Sequence, residues 1–248
     1  GKRVYPESEK ASDVAKLLKN LLIKNKVHLF LKTPVVDISK KADYFEITTP
    51  KRKFYSKKVI IASGGKSFPQ TGSTGDGYKF AKNLGHTIIK PLPALCGIKI
   101  KEKFIKKWMG VTLKNVKVSV KLNGKKICEE FGEFIFTHYG VSGPAILNLS
   151  GDVSENIGKG DLNLIINFKP ALSEKILDNR LKREFKENPK KKLKNIFKNL
   201  LPSRIIEEFL KYSEVDGEKT GNQITKEERK KILKNLQNFQ LTIEGVCG

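Results

Sequence analysis

Cysteine is scarce in this 248-residue chain: Cys96, Cys128 and Cys247 are far apart and odd in number. That spacing excludes a CxxC zinc or redox motif and fits a reducing, cytoplasmic compartment. No apolar run approaches the ~18 to 20 residues that a membrane span requires, so a transmembrane helix is excluded. Gly1-Lys2-Arg3 runs into Val4-Tyr5-Pro6 without a long apolar stretch, which is not the pattern of a secretory signal. There is no GxSxG elbow, no HExxH, no EF-hand loop and no GxGxxG turn. Hydrolase, zinc and calcium chemistry therefore have no support, and no metal site is expected.

Arginine is also scarce, with six residues (Arg3, Arg52, Arg180, Arg183, Arg204, Arg229) among 49 basic ones. Against 26 acidic residues the formal net charge is +23. So positive a chain raises a nucleic-acid reading. Specific recognition of phosphates and bases favours the planar arginine fork, however, and here the charge is nearly all lysine. A lysine excess reads first as a solvated surface. The charge leaves a nucleic-acid partner open and does not decide function.

What is present is an α/β pattern. Residues 12–25 carry apolar side chains at helical spacing, with Ser12 or Asp13 as cap. Strand-like runs follow at 27–31, 35–38, 44–48 and 52–55, then Lys58-Val59-Ile60-Ile61-Ala62, which is apolar on both faces like a buried parallel strand. It ends in Ser63-Gly64-Gly65. A glycine-rich loop leads through Thr71-Gly72-Ser73-Thr74-Gly75-Asp76-Gly77 into a helix at 78–84, which Gly85 stops before a strand at 86–89. From about 95 the period becomes two, and Asn123-Gly124 marks a type I′ hairpin. Ser142-Gly143-Pro144 opens a helix, 162–168 is a strand, and 173–238 holds three or four lysine-rich helices broken near Pro189, Pro202 and 215–221. Residues 239–246 return to strand.

Three segments carry candidate chemistry. Small residues after a buried strand allow a ligand close to the backbone. Glycines and hydroxyls before a helix offer N–H groups and a dipole end to an anion, although Asp76 reads first as a helix cap. His138-Tyr139 lies on the glycine-rich loop Phe136–Pro144, where both side chains can donate protons; a structural hydrogen-bonding role is the plainer reading of that histidine. His28 and His86 read as structural.

Taken together, three groups of segments resemble the YhiN/BaiN-like family of NAD(P)/FAD-dependent oxidoreductases. They are Gly1–Pro6 with Ala11–Val14, Ile61–Pro69 with Thr71–Tyr78, and Phe136–Pro144. The resemblance covers the whole chain. It implies part of a Rossmann-like FAD-binding domain at 1–95, an inserted antiparallel β-barrel-like domain at 96–170, a helical subdomain at 171–238 and a return strand at 239–248 toward the FAD domain. The missing GxGxxG, the absent initiator Met and the end at Gly248 imply an internal fragment. It would lack the N-terminal diphosphate-binding segment and the C-terminal FAD-contacting one, bind FAD poorly and be inactive alone. By the same resemblance Val35 approaches the adenine through its backbone, and Ala62, Ser63, Gly64 and Gly65 lie along the FAD near its diphosphate. Arg3, Tyr5, Pro6 and Thr74-Gly75-Asp76-Gly77 border the cofactor cleft. The implied reaction passes hydride from NAD(P)H through flavin to an unsaturated organic acceptor, a small molecule such as a bile-acid-like enone. His138 and Tyr139 are the candidates for proton donation or substrate orientation. The alternative is a basic nucleic-acid-binding module on the lysine-rich helices, and the oligomeric state is left open.

Overall fold

A computed structural model describes residues 4–247, which divide into two units between Lys90 and Pro91. Arg3 lies outside the described residues.

In the first unit, α1 (Ala11–Lys24) has Lys10 in its cap position, ahead of the expected Ser12 or Asp13, so Asp13 falls in the first turn. There its carboxylate accepts from the Ser8 hydroxyl at 2.6 Å. The apolar stripe read from the sequence is present but uncovered: Leu17 is 60% exposed and Leu18 57%. Three short strands, β1 (Asp37–Lys40), β2 (Phe45–Thr48) and β3 (Lys53–Ser56), form an antiparallel sheet. Ile38 faces Ile47 and Ile47 faces Phe54 across it. On this sheet rests α2 (Asp76–Asn83), which buries Phe80 and donates from Asn83 Nδ2 to Asp37 Oδ1 at 3.3 Å. Gly85 ends α2 as expected, at φ +92°. His86 N donates to Ala81 O and Gly85 N to Lys82 O, the paired bonds of a Schellman stop.

Three expected strands are corrected. Residues 27–31, 58–62 and 86–89 are in no ladder among the described residues. An apolar run becomes a strand only when a neighbour satisfies its N–H and C=O groups, and propensity alone does not supply one. Ile60 accordingly stays 91% exposed.

The second unit is better packed. β4 (Ile98–Ile100), β5 (Thr112–Leu122), β6 (Lys125–Phe136), β7 (Gly140–Ser142), β8 (Leu162–Asn167) and β9 (Phe239–Val246) pair antiparallel in the closed order β4-β7-β6-β5-β8-β9. Asn123 (φ +49°) and Gly124 (φ +80°) make the expected tight hairpin. β6 runs as one strand alongside β5, through shifts of register. Alternate residues point inward: Val116, Val118 and Val120 on β5, Leu162, Leu164 and Ile166 on β8, Phe239 and Leu241 on β9. The last strand therefore closes this barrel between β8 and β4. α3 (Pro144–Asn156) buries Ile146, Leu149 and Val153.

Four helices follow: α4 (Glu174–Glu187), the short α5 (Leu193–Ile196), α6 (Ser203–Tyr212) and α7 (Lys226–Gln237). Their apolar faces share one core with the barrel, where Phe168, Phe209 and Phe239 meet with ring centroids 5.7 to 5.9 Å apart. The stretch 171–238 lies in the same unit as the barrel strands and shares their core. Among the described residues no helix is long and apolar enough to cross a membrane.

Candidate functional site

The first unit brings two of the three glycine segments together. Gly64, Gly72 and Gly75 have φ of +76°, +92° and +88°, left-handed values that cost other residues roughly 1–2 kcal/mol. A Cβ on Gly77 would lie 2.7 Å from Ser63 Oγ and 3.2 Å from Ile61 Cγ2. Glycine at 77 is what lets the start of α2 touch the 61–65 segment. Tyr78 brings its hydroxyl over Gly65, and the Lys66 side chain folds over the buried Gly75.

Asp76, expected as the cap, is the first helical residue; Gly75 takes the cap position and no side chain caps α2. The Asp76 carboxylate is engaged instead by Thr74 Oγ1, which donates to Oδ2 at 2.7 Å. Among the described residues the N–H groups of Ser63, Gly64 and Gly65 make no intramolecular hydrogen bond. Ile61, Ser63, Gly64, Gly65, Gly77, Tyr78 and Ala81 line an open depression of about 320 Å³. Beside it lies a groove of about 700 Å³, with Lys66, Lys79, Lys82 and His86 in its wall and no carboxylate. Free N–H groups, an uncapped helix start and lysines are the donor set of a phosphate-bearing ligand. These residues fit the diphosphate portion of a dinucleotide cofactor such as FAD.

The other expected residues lie apart from that lining. Tyr5 is 70% exposed, Pro6 O accepts from Glu9 N at 2.9 Å, and Val35 precedes β1 with its side chain exposed. Ala62, Thr74 and Asp76 flank the depression in sequence. Tyr78 lines it, and Lys66 lines the neighbouring groove, although neither was singled out; each directly follows a glycine that was, and that adjacency was the available signal.

His138 and Tyr139 belong to the barrel unit, on the turn from β6 to β7. Thr137 N donates to Gly140 O at 2.8 Å, and Gly140 N donates back to Thr137 Oγ1 at 3.1 Å. The Tyr139 ring packs over Gly97, and its carbonyl accepts from Ile100 N at 3.0 Å. His138 is exposed and stands edge-on to that ring at 4.9 Å and 81°. A Cβ on Gly140 would sit 2.1 Å from Ile98 O, so the turn admits no larger residue there. The start of α3 follows, with Gly143 at φ +101° and Pro144 as first helical residue. This arrangement holds two proton-bearing side chains on a stiff turn beside a helix start.

Elsewhere Cys128 is disfavoured as a nucleophile. Burial, with Asp152 beside it, pushes its thiol up to about 12, which keeps it protonated at neutral pH. Among the described residues no His, Cys, Asp and Glu cluster could hold a metal ion.

Residues 1–126 match a family described as the HI0933-like protein Rossmann domain, and 92–248 match its HI0933-like protein barrel and H2TH domain. The chain is 26% identical to a Clostridium scindens protein named 3-dehydro-bile acid delta(4,6)-reductase, across all of this chain and 61% of that protein. It is also 26% identical to a Haemophilus influenzae ribosomal RNA dihydrouridine synthase and 23% identical to an Escherichia coli protein of the same name. Each match spans 97% of this chain, with 58% and 57% of the relatives covered. The chain therefore spans about three-fifths of the length of these curated relatives. A Rossmann-like region followed by a sheet-and-helix region, matched along its whole length, shows that the chain belongs to the HI0933-like family.

Proposed function

We propose that this chain carries part of an FAD-dependent oxidoreductase that takes reducing equivalents from NAD(P)H and delivers them to an unsaturated organic acceptor. In this reading the barrel unit is an insertion into the Rossmann-like domain. The observation that carries it is the exposed Ser63–Gly65 turn, laid by Gly77 against the uncapped start of α2. It lies within the residues that match the Rossmann family.

When bound, FAD supplies the two-electron chemistry, and the protein orients the reactants and excludes water. The N–H groups of Ser63, Gly64 and Gly65 hold the diphosphate, with Ala62 and Thr74–Gly77 shaping the cleft around it. The resemblance adds Arg3, Tyr5 and Pro6 at the cleft edge and the Val35 main chain near the adenine. His138 or Tyr139 holds the proton that the reduced acceptor requires, and the Thr137–Gly140 turn keeps both rings in place. Three free cysteines suit the cytoplasm to which the reading assigns it.

The full-length gene product is expected to purify yellow and to lose its flavin absorbance when NADH or NADPH is added without oxygen. A colourless full-length protein that takes up no FAD on reconstitution would overturn the reading.

The net charge of +23, with two relatives named for ribosomal RNA, favours a second form of the same reading. There the acceptor is a pyrimidine ring within RNA. Turnover of a free enone and of an RNA oligonucleotide, compared on the same flavin-loaded protein, separates the two.

A further inference from the structure

The arginines are few enough to be followed one by one. Arg52 lies over the rings of Phe30 and Phe54 at 4.3 and 4.6 Å. Arg204 donates to Met109 O at 2.8 Å, and Arg229 pairs with Asp178 at 2.8 Å. Each has a structural partner. Arg180 and Arg183 differ: they lie one turn apart on α4 and line one open groove of about 400 Å³ with Leu172, Ile176 and Asn179. Arg183 is exposed and makes no ion pair among the described residues, while Arg180 reaches only Asn199 O at 3.3 Å and Glu184 at 3.8 Å.

Lys169 adds a third cation. Burial first, and then the Arg180 charge, hold its ammonium below the ordinary lysine range. Lys169 also shares a cavity of about 160 Å³ with Lys114, and no carboxylate lines that cavity or the arginine groove. The segment is set rigidly, since Lys169 N donates to Asn167 Oδ1 at 2.9 Å and Leu172 N to Lys169 O at 3.0 Å. Like charges brought together at partial burial destabilise the free protein, and a bound anion relieves them.

We propose that Lys169, Arg180 and Arg183 form a contact surface for the phosphate backbone of single-stranded RNA. The guanidinium forks match phosphate oxygens in pairs. Leu172 and Ile176 give the groove an apolar floor against which a sugar or base packs. The whole-chain charge draws a polyanion in from a distance. The choice of RNA over other phosphate esters rests on the second form of the reading above; the surface itself needs no flavin.

Fluorescence anisotropy of the full-length gene product with a labelled single-stranded RNA, titrated over a range of salt concentrations, tests this. The double variant Arg180→Gln/Arg183→Gln is compared with Lys226→Gln/Lys230→Gln, which removes the same charge from exposed positions of α7. The arginine pair is expected to weaken binding about tenfold and to flatten the salt dependence by about 1.4 in log–log slope, two phosphates at about 0.7 each. The lysine pair is expected to change affinity less than about twofold. Equal losses in both doubles, no loss in either, or equal displacement of RNA by polyglutamate would overturn the proposal. Flavin content is read on the same preparations. A yellow protein whose RNA binding ignores the arginines sinks this surface alone, and a colourless one that binds through them sinks the redox reading alone.

Discussion

Glycine positions differ in what a methyl group would meet, and the difference is measurable. Gly140→Ala forces a Cβ to 2.1 Å from the Ile98 carbonyl, where only backbone movement can relieve it. It is expected to cost on the order of 3 kcal/mol of unfolding free energy. Gly72→Ala has open space around it and only the left-handed φ of +92° to oppose it, so about 1 kcal/mol is expected. Denaturant midpoints compare the two, and equal losses would refute the steric ranking. Trp108, the sole tryptophan, is fully buried, and its indole N–H has no partner among the described residues. A buried donor without an acceptor costs about 1–3 kcal/mol. Trp108→Phe gives up ring volume but also removes that donor, so it is expected to cost less than about 1.5 kcal/mol, against about 3–5 for Trp108→Ala. The sequence offered no sign of this orphaned group, because satisfaction depends on neighbours such as Phe104, Phe136 and Phe239 that arrive from three segments.

Elements were legible where their signals are local. The Asn123-Gly124 hairpin and the Gly85 stop each depend on a few consecutive residues, and both stand in the structure. The cap of α7 is also local: Thr225 Oγ1 accepts from Glu228 N at 3.1 Å while Glu228 Oε2 accepts from Thr225 N at 3.0 Å. Thr225→Ala is expected to cost about 1 kcal/mol in urea unfolding, with no change in the salt dependence of RNA binding. Legibility failed at 58–62, whose apolar pattern resembles a strand but whose ladder needs partners that the pattern does not name. At the start of α2 the tendency of aspartate to cap misled, because Gly75 can adopt φ +88° there and Asp76 moves inside the helix. Gly77→Ala is expected to push Ser63 away from α2 and to weaken FAD binding several-fold in a flavin-release titration, with little change in the melting of the barrel unit. Unchanged flavin affinity would remove the 63–65 turn from the site.

For the whole molecule, charge sets the acid limit. Lys192 at 2.7 Å and Lys194 both donate to Glu218, which holds its carboxyl down to about 2 from 4.5. Asp178 is likewise held down, by Lys182 and then Arg229. A folded-state value below the unfolded one means that the contribution is present above pH 4.5 and is lost as pH falls toward 2. Unfolding free energy is therefore expected to drop through that window, with protonation adding to the self-repulsion of a chain already at +23. The Glu218 pairs are exposed, so added salt is expected to shrink their share. Flat stability across the window, measured by urea titration at two ionic strengths, would contradict this. The family resemblance, the glycine turns, the hairpin and the amphipathic helices followed from the sequence alone, since each depends on short-range chemistry read along one segment. The tertiary structure alone decided the closure of β9 between β8 and β4, the contact of Gly77 with Ser63, and the pairing of Arg229 with Asp178. These join residues distant along the chain, and which surfaces meet is set by the packing of the folded core, not by any local preference.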